Sequence, residues 1–98
     1  MKNKLVRDNI PKIILDSGRK CNLYVADEKE FFKLLKEKLL EEANEFVDSG
    51  DVNELVDVLE VLEALSNFMS VSADTLRELK LAKRATHGGF EKKIVLVS

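Results

Sequence analysis

Acidic residues at helical spacing are the feature of this sequence best suited to chemistry. Glu42 and Glu45 stand three residues apart, and the same spacing separates Glu54 from Asp57. At 3.6 residues per turn, the members of each pair lie on the same side of a helix. Carboxylate oxygens are the ligands that Mg²⁺ and Mn²⁺ prefer. The two pairs therefore predict a metal site, provided that the fold brings them together.

Both pairs border surfaces that the sequence predicts to be buried. Val61 lies on the same helix face as Glu54 and Asp57, and Glu42 has apolar neighbours one turn away in both directions. An ionised carboxylate in such surroundings is destabilising by several kcal/mol unless a positive partner accompanies it. Because residues 40–75 contain no Lys or Arg, a bound divalent cation is the expected partner.

Simpler interpretations of these acids remain open. Asp51 and Glu54 have the spacing of an N-terminal capping box, and Glu42 and Glu45 are also compatible with flanking positions that reach water. Glu60 has mostly polar helical neighbours and is predicted to be solvated. The metal interpretation depends on both pairs flanking apolar seams of two consecutive helices.

Apolar periodicity predicts the helices that position these acids. One helix begins at Asp27 and ends at residues 48–50, and a second follows at once from Asp51. Such a short connection makes the two helices antiparallel neighbours. A third helix is predicted from near Ser72 to residues 87–89, where glycine permits a left-handed closing conformation.

Two of these helices have predicted core faces. On the first, the core residues are Phe32, Leu35, Leu39, Ala43 and Phe46. On the second, they are Val52, Leu55, Val58, Leu59, Leu62, Leu65 and Met69. N-terminal to these helices, the pattern predicts a turn and a short helix that stops at Ser17-Gly18. At the other end of the chain, the apolar tail at residues 90–97 is predicted to be a strand or a docking arm. The sequence thus predicts an all-α antiparallel bundle, a single domain over residues 1–98, with a short extended C-terminal tail.

Length and composition exclude several classes of protein. A chain of 98 residues buries roughly 60–65% of its unfolded surface, so a second copy would help to stabilise it. No stretch approaches the ~20 apolar residues of a membrane span, and the N-terminus lacks the apolar run of a signal peptide, so we expect a cytoplasmic protein. Because Cys21 and His87 are the single residues of their types, a metal site must be built from oxygen.

The charges are segregated along the chain. Residues 27–63 hold 13 acidic and 4 basic residues, whereas the remainder holds 5 acidic and 12 basic residues. An acidic centre between basic flanks is unsuited to a nucleic-acid polymer, which needs a continuous positive face. It suits a phosphate ligand that a metal ion bridges to the protein.

The acidic motifs resemble those of the all-α nucleoside triphosphate pyrophosphohydrolases, the MazG-like superfamily that includes the phosphoribosyl-ATP pyrophosphohydrolases. Their Glu-Glu-x-x-Glu and Glu-x-x-Asp signatures are matched by residues 41–45 and 54–57. The segments KLVRDNIPKII at residues 4–14 and GGFEKKIVLV at residues 88–97 resemble the phosphoribosyl-ATP pyrophosphohydrolase-like branch. The spacer of eight residues between the signatures is shorter than in many family members, and His87 stands where relatives often have arginine.

The resemblance implies Mg²⁺-dependent hydrolysis of the α–β phosphoanhydride of a nucleotide, with Mn²⁺ as a substitute metal, in a homodimer or higher homo-oligomer. The metal ligands that it implies are Glu42, Glu45, Glu54 and Asp57. The catalytic residues that it implies are Glu41 and Glu42, with Glu41 orienting or deprotonating the attacking water. Basic residues expected to bind the substrate phosphates are Lys4, Arg7, Lys80 and Arg84, although ordinary surface charge also accounts for Lys80 and Arg84.

Two alternatives to a general nucleotide pyrophosphohydrolase are compatible with the sequence. One is a non-catalytic helical adaptor that kept the acidic helices in order to bind a metal or a nucleotide. The other is the phosphoribosyl-ATP pyrophosphohydrolase of histidine biosynthesis, which has the same chemistry and a different substrate. The adaptor should tolerate Asp57→Asn, whereas the enzymes need both acidic pairs.

Overall fold

The computed structural model describes residues 3–98, which form four α-helices and no β-strand. The helices are α1 (Ile10–Asp16), α2 (Glu28–Ser49), α3 (Val52–Phe68) and α4 (Ala73–His87). The predicted all-α fold class is confirmed. The apolar tail forms neither a strand nor a helix over residues 93–98. Among the described residues, no helix combines the length and apolarity needed to cross a membrane.

The chain divides into two compact units, and the division falls between Leu65 and Ser66. The first unit contains α1, α2 and most of α3, whereas the second contains α4 and the tail. In the second unit, the Ser72 hydroxyl accepts a hydrogen bond from the Thr75 N–H at 3.1 Å and so caps α4. The helix ends at His87 as predicted.

Local signals define both ends of α2. The Asp27 carboxylate accepts a hydrogen bond from the Glu30 N–H at 2.8 Å and caps the N-terminus. At the other end, Gly50 has φ +65° and its N–H donates to the Phe46 carbonyl at 2.7 Å. Two residues, Gly50 and Asp51, join α2 to α3. Two helices that pack together across so short a connection run antiparallel, as predicted.

We expect Gly50→Ala to lower the free energy of unfolding by about 1 kcal/mol, because a Cβ disfavours the left-handed conformation. A Cβ at Gly50 would meet no atom within 4 Å, so the effect would come from the backbone alone. Urea unfolding monitored by circular dichroism measures it. Asn44→Ala, at an exposed position of α2, is the control and should not lower the stability, because alanine favours a helix more than asparagine does. Equal unfolding midpoints for both variants would show that glycine is not needed for the left-handed conformation at position 50.

The predicted core face of α2 is confirmed. Leu35 is 2% exposed, and the other four predicted residues are half-buried. On α3, Val61 is 7% exposed. Leu35 and Val61 therefore mark the core of the first unit. Glu42 lies two turns after Leu35 on the same face of α2, and Asp57 lies one turn before Val61 on the same face of α3.

The predicted core face of α3 is wrong at most of its positions. Val58 and Leu65 are half-buried as predicted, but the remaining residues are 42% to 67% exposed, namely Val52, Leu55, Leu59, Leu62 and Met69. The reason is that α3 is apolar on two sides and packs through the side that carries Val61. We refer to the exposed residues Leu55, Leu59 and Leu62 as the α3 stripe.

Candidate metal site

Helices α2 and α3 bring the predicted metal ligands together. Carboxylate oxygens of Glu42, Glu54 and Asp57 lie within 4.8 Å of one another. Glu41, Glu42 and Glu45 form a second group within the same limit. Glu42 belongs to both groups, so the four predicted ligands and the predicted catalytic Glu41 form one continuous acidic cluster.

Glu42 lies at the centre of this cluster and is buried, with 7% exposure. Its Oε1 lies 3.3 Å from Lys38 Nζ, but its buried Oε2 has no hydrogen-bond partner within the part of the chain that the structure describes. Burial raises the pKa of Glu42, and the neighbouring Glu45 carboxylate adds to that rise. A buried oxygen without a partner is costly, and a bound cation would satisfy it.

Glu54 takes part in the cluster and not in the capping box that its spacing also allowed. The Asp51 carboxylate accepts from the Asn53 N–H at 2.8 Å, and the Asp51 N–H donates to Ser49 Oγ at 3.0 Å. Asp51 therefore caps α3 through the Asn53 N–H, and its own N–H is satisfied by Ser49 and not by Glu54. The Glu54 carboxylate is half-buried beside Asp57.

Lys38 is a site residue that the sequence argument missed. Its ammonium lies 3.4 Å from Glu41 Oε2 and 3.3 Å from Glu42 Oε1, and its side chain is 16% exposed. The inference that the acids lack a basic partner was therefore wrong. Residues 40–75 contain no Lys or Arg, but Lys38 stands just before them. The signal was present, since residues three and four apart on a helix are neighbours.

The segment before α1, which we call the N-terminal strap (residues 3–9), supplies two more cations. Lys4 Nζ lies 3.1 Å from Glu41 Oε1, and Arg7 Nη2 lies 2.6 Å from Asp57 Oδ1. The hydrogen bond from Lys4 lowers the pKa of Glu41, and the same contact raises the pKa of Lys4. Both bases were predicted to bind phosphate, and here each is paired with an acid of the cluster.

With all groups ionised, the cluster and its basic partners carry a net charge of about −2. The acids are Glu41, Glu42, Glu45, Glu54 and Asp57, and the bases are Lys4, Arg7 and Lys38. One divalent cation would neutralise this charge. Because every available donor is a carboxylate oxygen, the set suits Mg²⁺ or Mn²⁺ better than Zn²⁺.

A cleft of about 520 Å³ adjoins the cluster within the first unit. Its walls come from the strap, α1, α2 and α3, and include Arg7, Ile10, Glu42, Asp57 and Val61. This volume is within the range of small-molecule sites, which is roughly 300–1,000 Å³. The cleft combines an apolar wall with charged groups of both signs at one place.

The other predicted phosphate ligands lie on α4, in the second unit. Lys80 and Arg84 are exposed, and the Arg84 guanidinium forms an ion pair with Glu91. Their role in binding phosphate stays a prediction. On α3, Glu60 is exposed, as its polar neighbours predicted.

Comparison of the chain with protein-family models, with curated proteins and with solved structures found no match. The acidic cluster, its basic partners and the adjoining cleft are therefore the features from which a function can be inferred.

Proposed function

We propose that this protein is a Mg²⁺-dependent nucleotide pyrophosphohydrolase of the MazG-like, all-α type. It hydrolyses the α–β phosphoanhydride of a nucleoside triphosphate or a similar nucleotide to a monophosphate and pyrophosphate. The observation that carries the proposal is Glu42, whose carboxylate is buried, is shared by two groups of acids, and has an oxygen without a partner among the described residues. A buried anion at the junction of two acidic groups favours a metal centre over a solvated helix face.

The residues proposed to hold Mg²⁺, or Mn²⁺ in its place, are Glu42, Glu45, Glu54 and Asp57. When bound, the metal ion supplies positive charge for the substrate phosphates and lowers the pKa of a coordinated water. The two helices supply rigid support, because both acidic pairs stand inside α2 and α3 and not on loops.

Glu41 is proposed to position the attacking water. Its pKa is lowered by Lys4, so it is ionised at neutral pH and its oxygens accept hydrogen bonds. It lies within 4.8 Å of the oxygens of Glu42 and Glu45, and about a third of its side chain is exposed. Glu41 thus combines access to solvent with a position close to the proposed metal ligands, as a water-orienting group requires.

The cleft is proposed to take the nucleoside part of the substrate. Apolar residues such as Ile10 and Val61 line it beside Asp57. A base stacked in the cleft would hold its phosphates near the acidic cluster. A free nucleotide fits such a cleft, whereas a nucleic-acid polymer would need a continuous basic surface.

A homo-oligomer is part of the proposal. The α3 stripe leaves three leucines 42% to 55% exposed on one helix. Contiguous apolar surface of this kind marks interaction sites on soluble proteins. A second copy of the chain would bury the stripe and add to a core that is small in one chain.

The proposal predicts pyrophosphate release from at least one member of a panel of canonical and modified nucleoside triphosphates and phosphoribosyl-ATP. Release should require Mg²⁺ and should cease in EDTA, with the monophosphate as the second product. Enzyme-coupled detection of pyrophosphate, with chromatography of the nucleotides, measures both products. Phosphoribosyl-ATP as the one substrate would identify the histidine-biosynthesis reaction. Folded protein that binds Mg²⁺ and releases nothing from the full panel would contradict the proposal.

One observation favours the adaptor as a second candidate. Three basic side chains, Lys4, Arg7 and Lys38, pair with the acids, so the chain itself balances much of the negative charge of the cluster. An adaptor would bind a nucleotide without turnover. The same panel, measured for binding by calorimetry beside the release assay, separates the two candidates.

A further inference from the structure

The N-terminal strap holds both of its basic residues against acids of the cluster. Lys4 pairs with Glu41, the proposed water-positioning residue, and Arg7 pairs with Asp57, a proposed metal ligand. Contacts of 3.1 Å and 2.6 Å make these direct ion pairs. A divalent cation bound at Asp57 would therefore compete with the Arg7 guanidinium for the same carboxylate.

We propose that Lys4 and Arg7 exchange partners when a divalent cation binds. Without the cation their side chains pair with acids of the cluster, and with the cation bound they pair with the phosphates of the ligand. This inference rests on the proposed metal site. It assigns to the strap a coupling role, in which metal binding releases the groups that then bind phosphate.

The exposure of the two pairs favours exchange. The Lys4 and Arg7 side chains are 59% and 51% exposed, and ion pairs with that access to water are weak and easily replaced. The strap has no regular secondary structure over residues 3–7, so it can shift without breaking a helix. Lys38 differs, because it projects from the middle of α2 and is 16% exposed. It would stay with Glu42 in both states.

Charge also favours exchange. The cluster has a net charge of about −2 with the strap in place, and a divalent cation brings it to about zero. A polyphosphate ligand then adds negative charge at the same place, and the two exposed strap cations can balance it. Arginine suits this exchange because its planar guanidinium pairs with carboxylate and phosphate oxygens in the same bidentate geometry.

Calorimetric titration of the full chain with Mn²⁺, and then of the Mn²⁺-saturated protein with inorganic tripolyphosphate, tests the exchange. We expect Arg7→Gln to bind Mn²⁺ alone about 2- to 5-fold more tightly than the wild type, because a competing cation is gone. The same variant should bind tripolyphosphate about 10-fold more weakly, because a charged hydrogen bond to phosphate is lost. Arg7→Lys should bind Mn²⁺ much as the wild type does, since it keeps the competing charge, and should bind tripolyphosphate with an affinity between those of the wild type and Arg7→Gln, since it lacks the planar guanidinium.

Lys12→Gln is the matched control, because it removes the same charge from a residue whose partner is Asp16, outside the cluster. It should leave both affinities unchanged. Changes of the same sign in both titrations of Arg7→Gln, or equal changes in Lys12→Gln, would overturn the exchange while leaving the metal site intact. Absence of Mn²⁺ binding by every protein, including the wild type, would overturn the proposed metal site and the exchange with it.

Discussion

Glu42→Gln is expected to reduce Mg²⁺-dependent pyrophosphate release by at least about 100-fold. Loss of an outer-shell partner of a metal already costs about 10- to 100-fold, and Glu42 is proposed to contact the metal directly. Gln has nearly the same size as Glu and carries no charge, so the packing around the side chain is preserved while the ligand charge is lost. Initial rates of pyrophosphate release over a range of Mg²⁺ concentrations measure the effect.

The same substitution should raise the melting temperature of the metal-free protein. In the wild type, the buried Glu42 carboxylate has an oxygen without a partner among the described residues, and Gln removes that anion. Lys38, which loses the ion pair with Glu42, keeps Glu41 as its partner. Mg²⁺ should then stabilise the wild type and not the variant, because only binding to the folded state raises the melting temperature.

Glu63→Gln is the control, since it removes the same charge at an exposed position of α3. It should keep the wild-type rate and the stabilisation by Mg²⁺. A Glu42→Gln protein with the wild-type rate, or one that Mg²⁺ stabilises as strongly as the wild type, would show that Glu42 is not a ligand.

The helices and their ends could be predicted because their signals are local. Asp27 and Ser72 are N-caps that act on backbone three residues ahead, and Gly50 ends α2 through its own conformation. The acidic pairs could be predicted for the same reason, since residues three apart on a helix share a side. Their meeting across α2 and α3 followed from the short connection at Gly50 and Asp51.

The packed face of α3 could not be chosen from periodicity. Val61 and Leu59 both belong to apolar faces of this helix, and a hydrophobic pattern on two sides does not say which one meets α2. The structure buries Val61 and leaves Leu59 at 55% exposure. Packing through the side of Val61 brings Glu54 and Asp57 towards Glu42. The two acids therefore lie where they were predicted, although the predicted core face of α3 was wrong.

The basic partners of the acids were missed for two different reasons. Lys38 precedes the segment without basic residues, although its spacing of three and four residues from Glu41 and Glu42 predicts that it lies beside them on the helix. Lys4 and Arg7 contact acids 37 and 50 residues away in sequence, and no local pattern encodes such contacts. Their pairing also changes the interpretation of the strap, because bases predicted to bind phosphate form ion pairs with carboxylates.

The exposure of the α3 stripe leads to a prediction about assembly. A leucine that is fully buried contributes about 1.5–3 kcal/mol, and a homo-oligomer built on the stripe would bury several from each copy. Leu59 lies at its centre, between Leu55 and Leu62. Glu at this position would remove that contribution and place a charge in the interface, where an unpaired charge is strongly unfavourable.

Leu59→Glu is therefore expected to weaken self-association by at least about 100-fold. Leu59 is 55% exposed in one chain, so the burial lost from two copies together corresponds to roughly 10- to 100-fold, and the unpaired charges add to it. Sedimentation velocity over a range of protein concentrations measures it, and the melting temperature of the wild type should rise with concentration while that of the variant should not. Leu23→Glu is the matched control, because Leu23 is 61% exposed in the segment between α1 and α2. If the wild type sediments as a monomer at all concentrations, or if both variants associate as the wild type does, the stripe is not the contact between copies.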